Sequence, residues 1–564
     1  MRRRLLISIA ILLCVVLLYL ANIGDNPEPS IPEVNPFTPE MCTSLLVGKT
    51  ATIDGSVIST QSADCGNCDV RMEYVPAALH QPGEMRVVKG WNVYDLLGKN
   101  GSPPIRSGPT FEIPQVKQTF AYVATTFPFM NEHQVAIGEA TLGGIRTELA
   151  PSKNSDAQIR ITDLSRIALE RAKTAREAIT IMAFLMEKHG FNAWTPNWME
   201  LAPSGYDACG EYFAVADKDE VWCFEFLPVG PDWKKSSGEP GVCWCAMRIP
   251  DDMFAVVANE SIIGEIDLSN KDYFMASSNV KSLAVKHGWW DPKSGEPFRW
   301  DLAYSGKKAK SLRTWSALNM VAPSQNLQPH ADGYPMPIKP DKKLSVLDIR
   351  KIHGDRLEGT QFDQTKGLAA GPFGSPNWPF GAPEQTRAIG TMSSDSIIIN
   401  QCRDWLPAPI GGVMWVGLGG GDINLYVPFY AGITRLPKAY TTGVRTQFDW
   451  NSAFWVFELV GSWAQLNYTN MIKEIKAEQI RIESAELGRQ SSIDEEAWTL
   501  YQEDPHLARE YLTNYCINNA NDALADWTKL AGSLITRYSY GTATSIEKYI
   551  APEWWRKGIA DKSK

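Results

Sequence analysis

The chain has 564 residues, 44% of them hydrophobic and 21% charged, which is ordinary for a folded globular protein with a large core. This length suggests two or more domains. The formal net charge of -9 and the lack of a long basic run after the N-terminus argue against nucleic acid as a partner.

The N-terminus has the pattern of a targeting leader. Residues 2–4 are arginines and residues 5–21 form an apolar run, which is typical of a secretory signal peptide or an N-terminal signal anchor. The run is just under the ~20 residues that span a bilayer, so both alternatives stay open, and membrane contact is expected only through this run. Residues 22–41 carry five prolines and form an extended, protease-accessible linker or propeptide. We therefore expect the remainder to be exported: periplasmic, extracellular or anchored outside the cytoplasm.

Export places the ten cysteines in an oxidising compartment. Setting aside Cys14 and Cys42 leaves an even number, eight. The Cys65-Gly-Asn-Cys68 motif is compatible with redox chemistry or a metal, but no second such motif follows at zinc spacing. Disulfides or buried thiols are therefore favoured over zinc, and the sequence leaves the connectivity open.

Strand patterns begin at Cys42. Residues 43–47 are apolar and β-branched, Asp54-Gly55 is a turn signal, and residues 56–61 form the returning strand of a predicted hairpin. Further predicted strands are residues 120–126, 134–140, 212–216, 220–226 and 253–259, with another β pattern over residues 411–440.

Helical spacing of apolar residues covers residues 163–189, with Thr162 or Asp163 as the cap and a second start at Thr174-Ala-Arg-Glu177. From about residue 451 the chain becomes helical. A long amphipathic stretch covers residues 454–487, and Ser492-Ile-Asp-Glu495 predicts the start of another helix. Residues 451–564 are thus predicted to be a helical C-terminal extension.

Motifs of several enzyme classes are missing. The chain has no G-x-S-x-G, HExxH or P-loop motif, and Gly417-Leu-Gly-Gly-Gly421 indicates a glycine turn. What remains is Cys42, just after the cleavable linker. If the chain is cut between Met41 and Cys42, the new α-amino group, with an intrinsic pKa near 8, can serve as the base for the thiol. The alternative is that Cys42 is a buried thiol of a strand.

The run Cys42-Thr-Ser-Leu-Leu-Val-Gly48 and the following segments resemble the Ntn-hydrolase cysteine dipeptidases of the dipeptidase A and secernin type. The resemblance spans roughly residues 42–440 and is specific because many motifs occur in the same order. The similar segments are residues 42–56, 63–64, 129–144, 169–178, 210–222, 257–259, 403–407 and 426–430.

The resemblance implies an α+β fold, the four-layer αββα Ntn-hydrolase sandwich with a helical C-terminal segment. The expected organisation is a signal peptide or anchor at residues 1–21, a linker or propeptide at 22–41, a catalytic domain at 42–450 and the helical extension at 451–564. It implies neither a metal nor an organic cofactor.

The resemblance also implies roles for individual residues. Cys42 matches the nucleophile, Asp64 the acid that holds thiol and amine, Asn131 the side-chain oxyanion donor, and Asn259 the second asparagine. In many relatives an arginine stands three residues before the acid, and here that position is Gln61, a neutral amide that cannot lower the thiol pKa by charge. Arg403 is the candidate for the final arginine of the related amidases.

Each of these residues has a structural alternative. Asp64, next to Cys65, and Asn131 can both be turn residues. The resulting prediction is an exported cysteine dipeptidase that acts on dipeptides or short peptides, and a homo-oligomer is compatible with the sequence. The alternatives are an acyl-amide hydrolase of the penicillin or bile-salt amidase type and, because of Gln61, a catalytically inactive exported binding protein.

Overall fold

The computed structural model describes residues 42–65, 68–90, 110–152, 154–193, 210–377, 387–539 and 551–562. The predicted leader and linker, residues 1–21 and 22–41, lie outside the described residues. Within the described ranges, no helix combines the length and apolar character needed to cross a membrane. From Cys42 onward, the described residues fold as one compact unit.

Two antiparallel sheets form the body of the described chain. The six-stranded sheet has the order β14-β1-β2-β16-β17-β18, and the eight-stranded sheet has the order β15-β13-β12-β11-β10-β9-β8-β3. In chain order the strands are β1 (Ser44–Val47), β2 (Val57–Ala63), β3 (Glu73–Val75), β4 (Ala78–Leu79), β5 (Met85–Val88), β6 (Phe111–Pro114), β7 (Gln118–Thr119), β8 (Tyr122–Ala124), β9 (Pro128–Asn131), β10 (Ala136–Leu142), β11 (Gly210–Ala216), β12 (Val221–Leu227), β13 (Cys243–Arg248), β14 (Phe254–Val257), β15 (Phe274–Ala276), β16 (Ser396–Cys402), β17 (Val413–Leu418) and β18 (Tyr426–Tyr430).

The predicted hairpin at the start of the body is confirmed. Strands β1 and β2 pair antiparallel, with Leu46 opposite Ser59. In the turn, the Asp54 carboxylate accepts hydrogen bonds from the backbone N–H and hydroxyl of Ser56, and Gly55 has a φ of 84°. This left-handed conformation favours glycine, which is why Asp-Gly marks the turn in the sequence.

The two sheets pack face to face through β2 and β10. Both strands are buried along all seven of their residues, so neither shows an alternation of apolar and polar side chains. The approach is close at Gly138, where a Cβ atom would lie 2.5 Å from the backbone oxygen of Thr60. A larger residue at position 138 would therefore push the sheets apart.

Helices cover both sheets. The outer face of the eight-stranded sheet shares an apolar cluster with α1 and α2, and α6 contacts the six-stranded sheet where the His353 ring meets the Thr60 hydroxyl. These contacts confirm the predicted α+β class. The helices are α1 (Ile161–Arg171), α2 (Ala175–His189), α3 (Ser282–Lys286), α4 (Trp300–Tyr304), α5 (Leu312–Val321), α6 (Val346–His353), α7 (Ala408–Gly411), α8 (Ala453–Ala464), α9 (Tyr468–Glu503), α10 (Pro505–Arg537) and α11 (Glu553–Lys562).

The second helix start in this region is confirmed, but the first cap is not. The Thr174 side chain accepts a hydrogen bond from the Glu177 backbone and caps α2, as predicted. Helix α1 begins earlier, at Ile161, and has no side-chain cap. The Asp163 carboxylate instead accepts hydrogen bonds from the backbone N–H groups of Lys89 and Gly90, because it is already inside the helix and turned toward that loop.

The boundary between the two long C-terminal helices differs from the one that the sequence predicts. Ser492-Ile-Asp-Glu495 starts no helix, because α9 runs through it without a break. The chain turns instead at Asp504, which caps α10 by accepting from the His506 backbone, and Pro505 cannot continue α9. Helices α9 and α10 then form an antiparallel hairpin that contacts β18, where Tyr430 donates to Asp494.

Candidate active site

Cys42 lies two residues before β1, an interior strand of the six-stranded sheet. It is 1% exposed in the full-length chain. Thr43 bridges Ser62, so the antiparallel register places Cys42 opposite Ala63, at the end of β2. Strand β1 is flanked by β14 on its other side. The nucleophile candidate is therefore held by main-chain pairing on both sides of its strand.

An arginine that the sequence analysis did not identify contacts this cysteine. Arg313, in the first turn of α5, donates from Nη1 to the carbonyl oxygen of Cys42 at 2.8 Å. From Nη2 it donates at 2.9 Å to both the Ala258 backbone oxygen and Oδ1 of Asn259. The guanidinium is 4% exposed. Arg313 thus places a buried positive charge against the main chain of Cys42.

Asn259 belongs to the same cluster. Its φ of 60° is left-handed, a conformation that asparagine tolerates better than most residues. The side chain is fixed at both ends, since Oδ1 accepts from Arg313 and Nδ2 donates to the Thr141 backbone oxygen at 2.6 Å. These partners define which end of the amide carries the N–H groups. The structure thus brings Cys42 and Asn259 together through Arg313.

Two acids, the buried Glu225 and the half-buried Glu260, hold the loop that carries Asn259. Glu225 accepts hydrogen bonds from the Ser261 hydroxyl at 2.6 Å and the Trp300 indole at 2.6 Å. Burial raises the pKa of the Glu225 carboxyl, and these donors act in the opposite direction. Glu260 accepts from the backbone N–H groups of Lys310 and Ser311 at the start of α5. The loop with Asn259 and the helix with Arg313 are therefore tied to each other.

Asp64 directly follows β2, at the end of that strand that lies next to Cys42. Its carboxylate is 1% exposed and accepts from the hydroxyls of Ser394 at 2.5 Å and Ser62 at 3.2 Å. Arg387 forms an ion pair with it at 2.6 Å. The Ser62 hydroxyl also accepts from the Thr43 backbone N–H at 2.9 Å. Asp64 is therefore connected through Ser62 to the residue that follows Cys42.

The structure does not bring Asn131 to this cluster. Its Nδ2 donates to the backbone oxygens of Leu169 and Ala172 at the end of α1, and its Oδ1 accepts from His133 and Val135. Asn131 thus closes the turn before β10, whereas Thr141 lies near the other end of that strand, ~20 Å away at ~3.3 Å per residue. The geometry therefore supports the structural alternative for Asn131, a turn residue, and not an oxyanion donor.

Arg403 is also far from Cys42. It follows β16, whose last residue, Cys402, pairs with Val57, and this is the opposite end of β2 from Ala63. Its guanidinium binds Asp494 of α9 and donates to the Gly411 backbone oxygen. Arg403 therefore joins the helical hairpin to the sheet, whereas the arginine that contacts Cys42 is Arg313.

Gln61 lies between the two sheets, on the face of β2 that carries Ala63. Its Nε2 donates to Glu139 of β10 at 3.1 Å, and the Gln61 side chain is 3% exposed. The amide is thus directed at the eight-stranded sheet.

The predicted preference for disulfides or buried thiols is confirmed. Cys65 and Cys68 form a disulfide directly after Asp64, with their Cα atoms 5.5 Å apart. Among the residues that the structure describes, these two cysteines and Asp395 form a group whose ligand atoms lie within 4.8 Å of one another, but the disulfide engages both sulfurs.

The other thiols in the described ranges are poor nucleophiles. Burial raises the pKa of Cys243 and Cys516 to about 12. It also raises the thiol pKa of the remaining three, Cys223, Cys245 and Cys402. A raised pKa keeps these five thiols protonated near neutral pH, which leaves Cys42 as the nucleophile candidate among the described cysteines.

Comparison with known proteins finds one family model that covers most of the chain. The model for peptidase family C69 matches residues 41–481. Its first matched residue is the one before Cys42, and the match includes Asp64, Asn259 and Arg313.

Curated proteins of similar sequence carry dipeptidase names. A probable dipeptidase B of Lactococcus lactis is 26% identical over 441 residues, covering 76% of this chain and 82% of the relative. Dipeptidase A of Lactobacillus helveticus is 24% identical with the same coverage. A probable dipeptidase of Latilactobacillus sakei is 23% identical and covers 90% of this chain and 94% of its own length.

Proposed function

The chain belongs to peptidase family C69, and on that premise we propose that it is a cysteine dipeptidase whose nucleophile is the Cys42 thiol. Removal of residues 1–41 would give Cys42 a free α-amino group. The observation that carries the proposal is the contact of Arg313 with both Cys42 and Asn259. The dipeptidase names of the relatives support the substrate class.

The proposed fold is the four-layer αββα sandwich of the Ntn hydrolases. It is supported by the face-to-face packing of β2 on β10 and by the helices that contact each sheet. In this arrangement the nucleophile stands at the N-terminal end of an interior strand. Export through residues 1–21 remains part of the proposal, since a proline-rich linker separates that run from Cys42.

The proposed reaction uses the α-amine of Cys42 as the base. The amine takes the thiol proton, and the thiolate attacks the scissile carbonyl to form a tetrahedral intermediate. The amine then returns the proton to the leaving amine, and water releases the acyl group from sulfur. The first half-reaction releases the amine and leaves the acyl group on sulfur. In the second, the α-amine takes a proton from the attacking water and returns a proton to the departing thiolate, so the free enzyme is restored only after both half-reactions.

Asn259 is the proposed side-chain donor to the oxyanion. One N–H of its amide is donated to Thr141, and Arg313 fixes the oxygen end, so the second N–H has a defined direction. A donor held in place before the reaction needs no reorganisation when charge develops on the substrate oxygen, and removal of one such donor costs roughly 3–4 kcal/mol.

Asp64 is the proposed anchor of the new N-terminus. Thr43 pairs with Ser62, so the nitrogen of Cys42 lies at the end of β1 that faces Ala63 and Asp64. A buried carboxylate there would orient the α-amine toward the thiol.

N-terminal sequencing combined with kinetics tests the function. The purified mature chain should begin at Cys42 and hydrolyse dipeptides, and Cys42→Ser should abolish turnover. Cys402→Ser is the matched control, because this buried thiol lies at the far end of the sheet and its weak hydrogen bond to Gln134 suits a hydroxyl. Full activity in a chain that retains residues before Cys42 would contradict the mechanism, and cleavage of acyl amides alone would favour an amidase.

A further inference from the structure

Asp64 is held mainly by the segment of residues 387–395, which precedes β16. Arg387 and Ser394 bind different oxygens of the Asp64 carboxylate, at 2.6 and 2.5 Å. The same segment is fixed to β2 by the Asp395 backbone N–H, which donates to the Ala63 oxygen at 2.8 Å. Both oxygens of the acid are therefore oriented by a part of the chain more than 300 residues away.

The residue three positions before the acid cannot supply a positive charge to it. Gln61 is neutral, and its amide N–H is donated to Glu139 of the opposite sheet. A carboxylate as buried as Asp64 needs a counter-charge and hydrogen bonds to remain ionised. In the described structure its ion-pair partner is Arg387, whose side chain is 25% exposed.

We propose that Arg387 is a positioning residue of the reaction, supplying to Asp64 the guanidinium that position 61 lacks. This inference rests on the proposed function, in which Asp64 anchors the α-amine of Cys42. It assigns a role to a residue outside the segments that resemble the dipeptidases. If Arg387 supplies this charge, the neutral side chain at position 61 is no longer an argument that the chain is catalytically inactive.

The charge of Arg387 matters because the base is itself an amine. A carboxylate without a counter-charge would stabilise the ammonium form of the Cys42 N-terminus, and an ammonium group cannot accept the thiol proton. A guanidinium paired with the same carboxylate reduces this stabilisation of the ammonium form. Other charged groups around the site have partners of their own: Glu139 binds Gln61, Asp395 binds Arg445, and Arg313 binds backbone oxygens and Asn259.

Substitution of Arg387 tests the proposal through the pH profile. In Arg387→Met we expect the acidic limb of kcat/KM for a dipeptide to move up by about one pH unit, with kcat near neutral pH reduced about tenfold and KM little changed. Arg387→Lys retains a positive charge and should keep the limb close to that of the wild type. Arg176→Ala removes a comparable half-exposed arginine from its bond to Glu220 and should change neither.

A double-variant cycle covers the case in which Arg387→Met folds poorly. Asp64→Asn combined with Arg387→Met buries no unpaired charge, and in the Asp64→Asn background the Arg387 substitution should have almost no further effect on kcat. An effect that persists there, or a rise in KM with an unmoved acidic limb, would show that Arg387 binds substrate and would overturn the proposal. A wild type that cleaves no dipeptide would instead refute the proposed function.

Discussion

At the scale of single residues, the partners of a side chain distinguish two asparagines that the sequence treats alike. Asn131 uses both N–H groups on the end of α1. Asn259 is held at one N–H and at its oxygen, and it shares Arg313 with the nucleophile candidate. The same amide therefore closes a turn in one place, whereas in the other it is the oxyanion donor that we propose.

Substitution of the two asparagines should separate catalysis from stability. Asn259→Gly removes the amide without straining the left-handed backbone, and we expect kcat to fall roughly 10²–10³-fold. Its loss of stability should be the smaller of the two, because Arg313 keeps its bonds to two backbone oxygens. Asn131→Ala takes the side-chain partner from four backbone groups and should lower the free energy of unfolding by about 2–4 kcal/mol. Kinetics and urea unfolding of both variants check this. A catalytic loss in folded Asn131→Ala would return Asn131 to the site.

At the scale of elements, the two ends of β2 lie next to different groups of charged residues. One end faces Cys42 and leads to Asp64. At the other end, β16 leads to Arg403, whose buried guanidinium binds Asp494 and fastens the helical hairpin of α9 and α10. A strand of seven residues is long enough to keep these two groups of charges ~20 Å apart.

Loss of the Arg403 partner should weaken the fold and leave the chemistry intact. Asp494→Ala leaves a guanidinium that is 3% exposed without its carboxylate, and we expect the free energy of unfolding to fall by about 3–5 kcal/mol. Glu510→Ala, in the exposed ion pair with Arg435 on the same hairpin, is the control and should leave the urea midpoint unchanged. Activity per folded molecule should stay the same in both, and a large change in kcat for Asp494→Ala would contradict this separation.

At the scale of the whole molecule, close packing of the layers leaves titratable groups without water. His353 of α6 is fully buried against β2, where its Nε2 meets the Thr60 hydroxyl at 2.8 Å. Burial lowers the pKa of His353 to about 3. The folded chain therefore keeps this ring neutral under conditions in which an unfolded chain would protonate it.

Stability should consequently fall in mild acid. Below pH ~6.5 the unfolded chain binds a proton at His353, whereas the folded chain binds it only near pH 3. The contribution of the neutral His353 to the free energy of unfolding is therefore complete above pH ~6.5 and is lost as the pH falls. Between pH 7 and 4.5 we expect a loss of about 2–3 kcal/mol from this residue. Urea unfolding of His353→Gln at both pH values should show a smaller difference than the wild type. The exposed-site control His506→Gln should retain the full difference.

The sequence by itself determined the local parts of this protein. The Asp54-Gly55 turn and the cap at Thr174 agree with prediction, because each depends on residues only a few positions apart. Disulfides or buried thiols are expected, but the sequence leaves open the pairing of Cys65 with Cys68. The proximity of Asp64 to Cys42 follows in the same way from one hairpin and its register. The break at Pro505 also has a local cause, although the capping pattern at Ser492 suggested another place.

Only the tertiary structure decided which distant side chains surround Cys42. Arg313 is 271 residues from Cys42 in sequence, and Arg387 is 323 residues from Asp64. The sequence around an arginine or asparagine does not indicate whether its side chain will contact a nucleophile, a helix end or an acid. Its role is fixed by the partner that sheet packing places within ~3 Å, and that distance exists only in the folded chain.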